Sequence, residues 1–108
     1  MKSPIVQKSS TPYYAVIFTS TLNENPEGYE EMAEQMDKLV SKHAGFLGYE
    51  SAREQVGITV SYWDSLEAIR NWKANQDHLI AQEKGKSSWY SDYQVRICKV
   101  EMAYGPLK

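Results

Sequence analysis

An α+β fold, in the order strand, helix, strand, strand, helix, strand, is what this sequence predicts, on three observations. The 108 residues suit one domain, because dividing them leaves too little apolar area for two cores. A composition of 42% hydrophobic and 24% charged residues is that of a chain able to bury such a core. Four stretches rich in β-branched and aromatic residues are interleaved with two whose apolar residues recur at helical spacing.

The elements follow in chain order. Residues 1–12 carry Ser, Thr, Lys, Pro4 and Pro12 without periodicity, and read as a flexible tail before a single domain over 13–108. "YYAVIFTST", Tyr13 to Thr21, is too short and too β-branched for a helix and reads as the first strand. Asn25 and Pro26 are placed as N-cap and first residue of a helix, with Glu27, Glu30 and Glu31 favoured by its dipole. Its inward stripe is Tyr29, Met32, Met36, Leu39, Val40 and His43, ending at Gly45. "FLGYESARE" and "GITVSYW" flank a turn at residues 55–57 and form a hairpin. Asp64 and Glu67 form a capping-box pair for a second helix whose stripe is Leu66, Ile69 and Trp72. The pattern weakens near Asn75, which predicts a kink or restart before "KGKSS" ends the helix. "YQVRICKVEMAY", Tyr93 to Tyr104, alternates as the last strand.

This order is that of a ferredoxin-like βαββαβ unit, a four-stranded antiparallel sheet with both helices on one face. Strand one nevertheless has apolar residues on both sides, Ala15 and Ile17 on one and Val16 and Phe18 on the other. Helices cover one face only, so the other requires a cover of its own. A second copy of the chain, packed sheet to sheet in a homodimer, is the expected one.

Composition excludes several functions. A net charge of -2 offers no basic field for nucleic acid. No apolar run approaches a membrane span, and the N-terminal residues lack the apolar core of a signal peptide. Cys98 is unpaired and reads as a small buried hydrophobe, which suits a reducing cytoplasm. No cluster has metal-ligand spacing, and no P-loop, GxGxxG or GxSxG motif occurs.

The residues left for chemistry gather on the second helix. On an undistorted helix Asn71, Asn75, His78 and Gln82 fall at i, i+4, i+7 and i+11, a polar stripe beside Trp72. A neutral imidazole among amide donors can take a proton from a phenolic or enolic substrate and stabilise the anion. The same stripe also describes the solvated side of an ordinary helix, and spacing does not choose between the two. Trp63 and Trp72 serve equally as core packing or as walls of an aromatic cleft. Trp89 and Tyr90 follow the "KGKSS" breaker, as part of a lid or as a plain anchor. His43, in the last turn of the first helix, is assigned a structural role.

Two passages, "AGFLGYESARE" and "GITVSYWDSLEAIRNWKANQDHLIAQEKGK", resemble the antibiotic biosynthesis monooxygenase domain, over Tyr13 to about Tyr104. The resemblance implies a dimeric α/β barrel and, by analogy with members that need neither metal nor flavin, oxygenation of a small aromatic, polyketide-like or quinol substrate by dioxygen. It makes His78 the base, Asn71 and Asn75 the hydrogen-bonding groups, and Trp63, Trp72, Trp89, Tyr90 and Gln82 the substrate-binding residues. The alternative is a non-catalytic small-molecule-binding or stress-response dimer. A haem-degrading branch is disfavoured: strand one holds no asparagine, and the histidine position expected on the second helix is Gln82, with only Trp72 retained.

Overall fold

The structure, a computed structural model, describes residues 5–6, 10–24, 26–82 and 89–106, the side chains of 78–82 excepted. Its elements are β1 (Tyr13–Leu22), α1 (Tyr29–Val40), β2 (Phe46–Arg53), β3 (Gly57–Trp63), α2 (Leu66–Gln82) and β4 (Tyr90–Val100). The strands form one antiparallel sheet in the order β2-β3-β1-β4. This is the βαββαβ arrangement that the alternation of periods predicts.

Register decides which side chains meet the helices. Tyr14 pairs with Trp63 and Lys99, and Val16 with Ser61 and Ile97. The pleat turns these to one face. There Val40, Trp63, Ala68 and Ile69 form a buried cluster with Tyr14, Val16, Phe46 and Trp72 packed against it. Trp63 is 1% exposed, and its indole N–H donates to Ser61 Oγ at 2.9 Å, so the ring is buried without stranding its polar atom. The opposite, outer face carries Ile17, Val60 and Cys98. At its β2 edge Val6 is tied down, its N–H donating to Glu50 Oε2 at 2.9 Å.

Several local expectations are corrected. The first helix starts at Tyr29, capped by Gly28 in the left-handed conformation, and not at Pro26. Pro26 instead supplies a carbonyl to Tyr29 N–H in the preceding turn, at 3.1 Å. Ser65, not Asp64, caps α2, its hydroxyl accepting from Ala68 N–H at 3.1 Å. Asp64 is committed elsewhere, since its N–H donates to Gly45 O at 2.8 Å and its carboxylate lies beside Gly45. No restart interrupts α2, which is one helix of 17 residues. Asparagine costs a helix only a few tenths of a kcal/mol, too little to break it. Leu39 and Leu66 leave the expected inward stripes, at 46% and 42% exposure. The last strand spans Tyr90–Val100 and not Tyr93–Tyr104. Cys98 is exposed and not buried, because it stands on the outer face of an edge strand.

Candidate active site

The tryptophans from β3 and α2 meet. Trp63 and Trp72 stack with ring centroids 6.4 Å apart and planes 29° from parallel, and Phe46 meets Trp63 edge-on at 5.2 Å. Trp63 reaches this position as the last residue of β3, and Trp72 as the half-buried continuation of the Ala68 and Ile69 stripe.

Into this group comes a residue that sequence reasoning set aside. His43 follows α1, and its ring lies edge-on to both indoles, 6.0 Å from Trp63 and 5.5 Å from Trp72. Asn75 Nδ2 donates to His43 Nε2 at 3.1 Å, and His43 Nδ1 contacts Ala44 O at 3.1 Å. The carbonyl can only accept, so Nδ1 is assigned the proton and Nε2 the lone pair. With that tautomer, Nε2 is the ring nitrogen held against the Asn75 amide. The signal available beforehand was that His43 extends the α1 stripe; that it meets Asn75, 32 residues away, follows from packing alone.

The remaining candidates fall as follows. Asn75 is exposed apart from its bond to His43, and Asn71 is exposed one turn earlier. The backbone of α2 includes His78 and Gln82, but their side chains lie outside the described residues. Trp89 is 8% exposed, with its indole N–H donating to Glu27 O at 2.9 Å and its carbonyl accepting from Asn23 N–H at 2.8 Å. Tyr90 opens β4 and packs edge-on against Phe18 at 5.1 Å and Tyr29 at 5.8 Å. Trp89 is anchored, and Tyr90 belongs to the sheet.

The profile of the antibiotic biosynthesis monooxygenase family matches residues 12–84. That span takes in β1 through α2, the elements that build the cluster. The chain belongs to this family. Among curated proteins, the uncharacterized protein YqjZ of Bacillus subtilis (strain 168) is 54% identical over 92 residues, covering 83% of this chain and 81% of its own length. Two solved structures show the same fold at low identity. A mutant of SnoaB, a cofactor-independent oxygenase from Streptomyces nogalater, superposes with a TM-score of 0.65 at 14% identity over 88% of this chain and 96% of its own. A mutant of MhuD with two manganese protoporphyrin IX bound per active site gives 0.62 at 19% identity over 86% and 99%.

The second of these makes haem worth testing against the described side chains of this monooxygenase-family chain. Iron bound by histidine needs a free imidazole lone pair. His43 has one proton on Nδ1 directed at Ala44 O, and its lone pair accepts from Asn75. Among the described residues there is no group of three or more His, Cys, Asp and Glu suited to a metal ion. His43 is the imidazole among the described side chains, with Nε2 held against Asn75, and no step is routed through a haem.

Proposed function

We propose that this chain is a cofactor-independent monooxygenase for a small aromatic, polyketide-like or quinol substrate, with His43 and Asn75 as its proton-handling pair. One observation carries the reading: the Asn75–His43 hydrogen bond, at 3.1 Å, is made by an imidazole that packs against two tryptophans. On binding, the substrate's acidic hydrogen displaces the Asn75 amide and is taken by Nε2. The Ala44 carbonyl stabilises the imidazolium through Nδ1–H, and the released Asn75 amide donates to the substrate anion. The anion supplies the electrons: its carbon bonds to dioxygen, the peroxide takes the proton back, and loss of water leaves a ketone. For an anthrone-type methylene the balance is CH2 + O2 → C=O + H2O, and for a quinol it is quinol + O2 → hydroxyquinone + H2O, with the substrate as the sole reductant in both. The half-buried Trp72 provides the flat apolar wall, with the buried Trp63 packed behind it.

The same reading includes a homodimer closed over the outer face of the sheet, and a reducing compartment such as the cytoplasm, which suits the unpaired Cys98. No described helix is long and apolar enough to cross a membrane. The test is oxygen uptake with a panel of anthrones and hydroquinones. His43→Ala is expected to lower turnover by about a hundredfold, the usual worth of a positioned base. No uptake across the panel refutes the activity. Loss in His78→Ala with His43→Ala unchanged moves the base to His78.

A further inference from the structure

The outer face of the sheet holds unlike charges at its two edges, in a single register row. Glu50 on β2 pairs with Val60 on β3, Val60 with Ile17 on β1, and Ile17 with Arg96 on β4. The pleat turns all four side chains away from the helices. The row therefore reads anion, apolar, apolar, cation over three strand spacings, about 14 Å.

The anion is held in place but not compensated. Glu50 is half-buried, accepting from the Tyr62 phenol at 2.7 Å on Oε1 and from Val6 N–H at 2.9 Å on Oε2. Val6 is itself seated over Gly48, where an added Cβ would meet its Cγ2 at 3.1 Å. Two neutral donors orient a carboxylate without cancelling its charge, and a carboxylate with about four acceptor sites has room for a guanidinium besides. Arg96 stands exposed at the other edge. Lys73–Asp77 is the ion pair among the described residues, so neither Glu50 nor Arg96 is matched within its own chain there.

A row of this kind is complementary to its own reverse, which is what a twofold contact demands of a surface. Consider a twofold axis lying between two facing sheets, parallel to the strands and midway between β3 and β1. It sets the Arg96 of a second copy over Glu50, and the Ile17 of that copy over Val60. An axis running across the strands, along the row, instead sets Glu50 over Glu50 and Arg96 over Arg96. Facing like charges oppose association, so the row selects the first axis. Packed sheets stand about 10 Å apart with strands about 30° from aligned, which displaces the ends of the row by about 3–4 Å. The long arginine side chain takes up that offset.

We propose that Arg96 of each subunit forms an ion pair with the partner's Glu50, across a sheet-to-sheet dimer whose twofold axis runs along the strands. The pairing rests on the homodimer proposed above and adds to it an axis and two symmetric ion pairs. Between those pairs Val60 packs on Ile17 of the partner subunit, so each charge lies at the rim and the apolar residues at the centre.

The experiment is equilibrium sedimentation of the full chain and two charge variants. Arg96→Glu and Glu50→Arg each set like charges against one another at both ends of the interface. Each is expected to weaken the dimer by about a hundredfold, about tenfold for each of two pairs. Mixed in equal amounts, the two variants should associate with one another, because every facing pair is then of opposite sign. In the unaltered chain, nuclear Overhauser contacts between isotope-labelled and unlabelled copies are expected to join Val60 to Ile17 of the partner subunit. Dimers that survive both single variants, a mixture that fails to associate, or contact of Val60 with the partner's Val60 would each overturn the pairing while the dimer stands. A single-chain mass for the unaltered protein would remove the homodimer and the pairing with it. If Glu50→Arg fails to fold, because Tyr62 and Val6 lose their acceptor, Arg96→Glu and the Overhauser contacts decide.

Discussion

His43 has no exceptional neighbours in sequence, yet in space its two ring nitrogens have distinct tasks, one toward Ala44 O and one toward Asn75. Asn75→Ala therefore frees Nε2 without removing the imidazole. Steady-state oxygen uptake is expected to show turnover reduced by about tenfold, less than in His43→Ala, since one anion-stabilising donor is lost and the base remains. Tyr62 is the other residue with a defined outcome. Its phenol donates to Glu50 Oε1 at 2.7 Å, and burial, followed by Glu50, pushes its pKa up to about 12 from 10.0. Because the folded value is raised, the folded state favours the protonated phenol. Its stabilisation is complete below pH 10, where both states are neutral, and is lost as pH rises from 10 toward 12. Urea midpoints measured at pH 8 and pH 11 should fall less in Tyr62→Phe than in the unaltered chain; an equal fall removes Tyr62 as the source.

At the scale of elements, the junctions that aim the site rest on two small residues. Ser65 closes the first turn of α2 through Ala68 N–H, and Ser65→Ala is expected to cost about 1 kcal/mol in denaturant unfolding. Gly45 turns the chain from α1 into β2 at φ 87°, where an added Cβ would meet Ala68 Cβ at 2.5 Å and Asp64 Oδ1 at 2.7 Å. Gly45→Ala should cost at least about 1–2 kcal/mol from backbone handedness alone, with the contact to α2 adding to it. The same junctions show why element boundaries were hard to read. Asp64 has the residue type and spacing of a cap, but its N–H goes to the Gly45 carbonyl and the neighbouring serine takes the role. Pro26 suits the first position of a helix, but Gly28 adopts φ 81° and the helix begins after it.

For the whole molecule, the outer face of the sheet carries apolar surface that the helices do not reach. Ile58 is 45% exposed there, Cys98 is exposed, and Ile17 and Val60 are half-buried. A second copy over this face would bury that surface, so light scattering should give the mass of two 12.4 kDa chains. Ile58→Lys combined with Val60→Lys should yield the mass of one; a single-chain mass for the unaltered protein would refute the dimer. Order and type of elements were legible because periods of two and 3.6 are local properties of the chain. Trp63 and Trp72 could likewise be singled out as large rings ending a strand and facing inward on a helix. What no local pattern carries is distance between elements. The pairing of His43 with Asn75, and the row of Glu50, Val60, Ile17 and Arg96, require α1 against α2 and four strands in register. Periodicity thus determined the strands, the helices and their sequence, because each needs only neighbours within a turn or a pleat. Which imidazole meets the asparagine, and where a cation lies without a counterion among the described residues, were decided by packing, because hydrogen bonds and charges act over ångströms in space whatever the separation along the chain.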